Sequence, residues 1–258
     1  MKILNKIIII VVLVACLYAA FLIASDVSKI SEKISSFKIE FLPIIISLVT
    51  SGWFILFARW HLLLKNSKIF IPKKDNLVIF FSSFALAVIP GKMGDLIKSQ
   101  LLKTKFGIPR SRTVPIVMLE QLYTVIGLVF LSFFGIWYFE LGTYVIGFFT
   151  ALLVFVFILI SSRKTFNKMV LLLGKWKYTS KFVEPLSSSY DTIKTSIKGP
   201  MVFYASALTA VFWLIEAIVV YFVLLSFGID SIEFLKVIPT YTTSLMLGFL
   251  SFLPMGVG

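Results

Sequence analysis

The chain is built from apolar blocks, at 7–24, 40–64, 77–89, 113–139, 141–161, 200–227 and 232–257, with most of its charge confined between them. A helix that crosses a bilayer needs about 20 apolar residues. The blocks at 7–24, 40–64, 113–139, 141–161 and 200–227 supply that length or come close to it. The block 77–89, LVIFFSSFALAVI, does not. As a helix it would reach about 20 Å, against a hydrocarbon core of about 30 Å. This pattern leaves little room for a water-soluble domain. Apolar residues make up 59% of the chain and charged residues 14%, where a soluble domain has about half and a quarter. The reading is an all-α, polytopic membrane helical bundle forming one integral membrane domain over 1–258.

The formal charge of +13 would point to nucleic acid in a soluble protein. Here it is read as juxtamembrane Lys and Arg facing anionic lipid, with no nucleic-acid partner. Cys16 is the one cysteine and His61 the one histidine, so neither a disulfide framework nor a His-cluster metal site is expected. No cofactor is expected either. Residues 7–24 follow Lys2 and Lys6 and are too long for a signal-peptide core, which makes them a retained signal-anchor helix.

Charge sets the expected topology. The segments 59–75 and 91–112 hold five and six Lys or Arg, yet only the short block separates them. If that block crossed, one basic segment would lie outside, against the positive-inside rule. If it dips in and returns, both lie in the cytoplasm and the N-terminus does too. The expectation is a re-entrant hairpin over about 77–105 with Pro90-Gly91 at its tip; the alternative is a short span bent at Pro90. A cytoplasmic amphipathic segment, 162–199, carries Phe166, Met169, Val170, Leu173 and Trp176 at helical spacing, then Phe182, Val183, Leu186, Tyr190, Ile193 and Ile197. It reads as helices lying on the membrane surface, with packing inside the protein as the alternative.

The tail GFLSFLPMGVG, 248–258, echoes FALAVIPGKMG, 84–94, with Pro254 opposite Pro90 and Gly258 opposite Gly94. Gly/Pro-interrupted segments in oppositely oriented halves point to inverted repeats around a midplane site. Residues 232–258 are therefore either a second re-entrant hairpin or a plain span.

Several polar residues need a reason to lie in apolar surroundings. Gly91, Lys92, Gly94, Asp95 and Lys98 would place a cation and the start of a helix near mid-membrane, a site suited to a lipid phosphate. Ordinary N-capping by Asp95 and snorkelling by the lysines are the plainer alternatives. Asp95 and Lys98 could also pair at i, i+3. Glu120 and Glu216 sit within spans, where an unpaired charge costs at least about 2.5 kcal/mol, so each should meet a cavity or a cation such as Arg59 or Lys92. Arg59 and His61 read as headgroup anchors or ion-pair partners. Trp53, Trp60, Trp137, Tyr138 and Tyr144 read as interfacial belts. Pro254, Gly256 and Gly258 form the second glycine motif. No catalytic triad, nucleotide loop or acidic metal cluster is legible, so no enzymatic activity is expected.

At IPGKMGDLIKSQLL and IVMLEQLY the chain resembles the membrane region of lysylphosphatidylglycerol synthetases, a flippase-like family. Pro90, Gly91, Gly94, Asp95, Lys98, Leu101, Leu102 and Glu120 carry the resemblance, with RWHLLLK and LPMGVG also similar, over residue 40 to the end. The chain departs from the pattern at Gln121 and Thr124, where the family commonly has Arg and Asp. It also stops at Gly258, inside the second motif, which suggests a shortened reading frame. The resemblance implies a cell-membrane protein that binds or translocates a phospholipid or a polyprenyl-phosphate-linked lipid, with anionic lipids as partners. It does not imply lysyl-lipid synthesis, because no soluble transferase domain accompanies it. Two other readings remain: a membrane-embedded group transferase on a polyprenyl phosphate, and an accessory subunit of a separate transferase.

Overall fold

The computed structural model describes residues 34–84, 95–135, 140–175, 183–197 and 199–251, and no strand occurs among them. After a 3-10 turn at Ile39–Phe41 comes α1, Leu42–Asn66. Pro43 sits in its first turn, where a missing N–H breaks no helical bond. The helix stops at a left-handed Lys68, with the Ile69 N–H closing back on Leu64 O at 3.0 Å. The short helices α2, Lys73–Ser82, and α3, Leu96–Phe106, follow. Then come α4, Arg110–Ser132, α5, Glu140–Ser161, α6, Arg163–Gly174, α7, Val183–Ser196, α8, Pro200–Ser226, and α9, Phe234–Ser251.

Among the described residues, four helices are long and apolar enough to cross a membrane: Ile39–Asn66, Arg110–Ser132, Gly142–Ile160 and Pro200–Ser226. The most buried of them is α4, and α3, α5, α7, α8 and α9 all pack on it. α1 and α8 run antiparallel along their whole length. The Lys38 N–H donates to Ser226 O at 2.8 Å at one end, and Asn66, near the other, bonds Ser196 just before α8 begins. Outward faces are apolar, as on α5, where Tyr144, Phe148, Phe155 and Ile158 are exposed. The approach of α4 to α8 depends on Gly127, because a Cβ there would lie 2.7 Å from Thr209 Cγ2 and 3.2 Å from the Thr209 backbone.

α2 and α3 are 10 and 11 residues long, about 15 Å each, and neither can cross a bilayer. They pair antiparallel, Lys105 near the end of α3 meeting Asp75 near the start of α2 at 2.5 Å. From that end α2 runs inward until Phe81 and Phe84 pack on Trp53, in the middle of α1. The connecting residues 85–94, with Pro90, Gly91, Lys92 and Gly94, lie outside the described residues. So do 7–24 and the second glycine motif with Pro254, Gly256 and Gly258. Arg112, at the start of α4, donates to Ser67 O at the end of α1 at 3.2 Å. Both basic segments therefore meet at one end of the bundle. In a Cys16→Ala background, Lys74→Cys and Ser111→Cys should both react with an impermeant thiol reagent from the same side of the membrane. Reaction from opposite sides would contradict this arrangement.

Two expectations are corrected here. The helices of 162–199 do not lie free on a surface, because Phe166, Val170, Tyr190 and Ile193 are buried in the main core and α7 packs along α4. An apolar stripe at helical spacing serves either purpose, and here the protein supplies the partner. Of the aromatic residues read as interfacial belts, Trp60 is fully buried, whereas Trp53 and Tyr144 are exposed.

Candidate functional site

On α1 the buried face carries Gly52, Arg59, Trp60, Leu63 and Leu64, a spacing that holds one side of a helix. Arg59 is thereby turned inward rather than toward headgroups. On α3 the i, i+3 spacing puts Asp95 and Lys98 on one side, and α4 presents Glu120 and Thr124 to them. The result is a polar cluster between α1, α3, α4 and α8. Lys98 Nζ lies 2.5 Å from Glu120 Oε2 and 3.3 Å from Asp95 Oδ1. Arg59 Nη2 approaches Glu120 Oε1 at 3.8 Å, while its Nη1 donates to Thr209 Oγ1 at 2.8 Å and to Thr124 Oγ1 at 3.3 Å. Gln121 Nε2 donates to Asp95 Oδ2 at 2.7 Å. Arg59, Lys98 and Glu120 are each at most 4% exposed, so their charges survive burial only as a matched set.

Two cations face two carboxylates, and the cluster is neutral as a whole. Among the described residues, Arg59 Nε is buried with no hydrogen-bond partner. Lys98 is also boxed in by aromatic faces, its Nζ lying 4.8 Å from the Trp60 ring centroid and 5.5 Å from that of Phe80. Trp60 is in turn fixed by its Nε1–H donating to Asn76 Oδ1 at 2.8 Å. Because an indole can only donate, Asn76 accepts with its oxygen and donates with Nδ2 to His61 Nδ1, 3.0 Å away. His61 therefore supports the Trp60–Asn76 pair.

The structure brings together Arg59, Asp95, Lys98 and Glu120. Asp95 stands at the N-cap position of α3 but makes no side-chain capping bond; its carboxylate serves Lys98 and Gln121. Lys98 does not snorkel. Glu216 lies apart, farther along α8, with the Tyr241 hydroxyl 3.4 Å from its Oε2. Sequence reasoning missed Trp60, Asn76, Thr124, Gln121 and Thr209 as members of this region. Among the described residues, no group of three or more His, Cys, Asp or Glu side chains could hold a metal ion.

The family model described as the lysylphosphatidylglycerol synthase TM region matches residues 6–258. The chain belongs to this family. Comparison with curated proteins and with solved structures returns no match. Of the residues that carried the resemblance, Asp95, Lys98 and Glu120 meet in this cluster. Gln121 holds Asp95 and Thr124 holds Arg59 by neutral hydrogen bonds. This is an integral membrane protein of the lysylphosphatidylglycerol synthase TM family.

Proposed function

We propose that the protein binds a phosphate-bearing anionic lipid, a phospholipid or a polyprenyl-phosphate-linked lipid, and moves it between leaflets without chemical change. The observation that carries this reading is the buried set of Arg59, Lys98 and Glu120 with the half-buried Asp95 beside it, and an Arg59 donor that has no partner among the described residues. A lipid phosphate is a better bidentate partner for a guanidinium than a carboxylate held 3.8 Å away. On arrival it would share Lys98 and Arg59 with Glu120 rather than displace it, so neither the cations nor the carboxylate is stranded in a dry interior. Lys92 stands three residues before Asp95 in the sequence and would add a further cation for the headgroup. In this reading the protein resides in the plasma membrane, with the basic end of the bundle and the N-terminus in the cytoplasm.

The test is a leaflet-exchange assay in proteoliposomes, using tail-labelled phosphatidylglycerol and phosphatidylcholine with chemical quenching of the outer leaflet. The expected result is faster exchange of the anionic lipid than in protein-free vesicles, with little change for the zwitterionic one. No acceleration of any anionic lipid, polyprenyl phosphates included, would remove the reading.

A further inference from the structure

Glu216 lies near the middle of α8, a span of 27 residues, and its surroundings are unlike those of Glu120. Its carboxylate has one hydrogen-bond donor, the Tyr241 hydroxyl of α9 at 3.4 Å. No Lys, Arg or His nitrogen among the described residues comes within ion-pair distance of it. The facing residue on α1 is Gly52, whose Cβ position would lie 3.7 Å from Glu216 Oε1, so no side chain reaches across from there. Phe212 and Trp213, one turn back on α8, are buried beside it.

The titratable groups on the neighbouring elements are engaged elsewhere. On α1 the nearest is Arg59, seven residues from Gly52 and so about 10 Å along the helix, committed to Thr209, Thr124 and Glu120. His61 and Lys65 lie farther toward the same end. On α4, Glu120 belongs to that layer, and the Tyr123 hydroxyl donates to Ser196 O. On α9, Lys236 pairs with Glu233 at 3.3 Å, and Glu40 in the first 3-10 turn is exposed.

An ionised carboxylate at this depth with no cation would cost at least about 2.5 kcal/mol. A bound proton removes that cost; a metal cation could not do so here. Hard cations gather about six oxygens, whereas among the described residues Glu216 and Tyr241 offer three side-chain oxygens, and no group of three or more acidic, His or Cys side chains could hold a metal there.

We propose that Glu216, with Tyr241 as its hydrogen-bond partner, is a proton-binding site in the membrane interior, and that its loading is coupled to lipid movement. The coupling rests on the lipid-translocation reading above; the site does not. One proton from water adds to the carboxylate to give the neutral acid, and its release restores the anion, with nothing oxidised or reduced. Glu216 and Thr209, which holds Arg59, share α8 two turns apart. A displacement of that helix alters both layers together.

Infrared difference spectroscopy on the full chain in nanodiscs tests the site without any transport. A protonated-carboxyl carbonyl band is expected at neutral pH. It should vanish in Glu216→Gln, shift in Tyr241→Phe and persist in Lys98→Met/Glu120→Leu. A spectrum that Glu216→Gln leaves unchanged, or a band abolished by adding sodium at constant pH, would overturn the site. In proteoliposomes, an imposed pH gradient should change the wild-type exchange rate by up to about tenfold per pH unit for one proton per cycle, and Glu216→Gln should lose that response. Lipid exchange indifferent to the gradient would overturn the coupling. A Glu216 band with no lipid exchange under any condition would leave the proton site supported and remove the lipid reading alone.

Discussion

Lys98→Met alone is expected to lower stability by about 3–5 kcal/mol, because it strands Glu120 in the core without its closest cation. Glu120→Leu alone should cost a similar amount, leaving Lys98 with only Asp95 and Arg59 with only its two threonines. The double variant, Lys98→Met/Glu120→Leu, should recover most of the loss. Its two side chains are apolar, of similar volume, and need no counter-charge, and a buried ion pair exchanged for packed hydrophobic groups is often close to neutral. The cycle should therefore show a coupling energy well above the roughly 0.5–3 kcal/mol seen for ordinary contacting residues. Denaturation midpoints in mixed micelles read it directly. Additive single losses would mean that the two side chains do not meet.

The second large effect is steric. Gly127→Leu should sharply reduce the yield of folded protein, with Gly127→Ala in between. The first atom of any side chain at that position meets Thr209 at 2.7 Å and Trp213 Cδ1 at 3.1 Å. The Thr209 backbone, at 3.2 Å, cannot swing aside as a side-chain tip would. Overpacking of this kind typically costs 1–3 kcal/mol and occasionally more, and small residues are what let membrane helices approach closely. Separating α4 from α8 would also pull Thr209 Oγ1 away from Arg59 Nη1, so the damage should reach the polar cluster. Size-exclusion profiles and thermal midpoints of the three forms check it, and wild-type behaviour of Gly127→Leu would contradict the described contact.

The helices were legible because their cause is local. A run of about 20 apolar residues dictates a span wherever it occurs, and 40–64 and 200–227 differ from α1 and α8 by at most two residues at either end. Of the short block 77–89, α2 holds 77–82 and residues 85–89 lie outside the described residues. Partners were harder to read, because they depend on which helices become neighbours. Arg59 was foreseeable as a mate for Glu120 from charge alone, but Lys98, 22 residues away on another helix, is the closer one. A lysine near basic loops looks the same whether it snorkels or turns inward. Trp60 was misread for the same reason, since a tryptophan near a span's basic end resembles a belt residue until Asn76 is seen to take its N–H. Thr209 carries no charge and left no signal in an apolar helix, and Gln121 and Thr124 stood out only as departures from the resemblance, not as partners. Their roles exist only once Arg59 and Asp95 are beside them.

The most direct test of the central claim uses the double variant that should fold. Lys98→Met/Glu120→Leu keeps the bundle packed while removing the Lys98 cation that is proposed to meet a lipid phosphate, together with its carboxylate partner. Its rate of phosphatidylglycerol exchange is to be measured in proteoliposomes beside wild type, at matched protein content and after denaturation has shown it folded. The account predicts exchange at the level of protein-free vesicles. Exchange at the wild-type rate would contradict it.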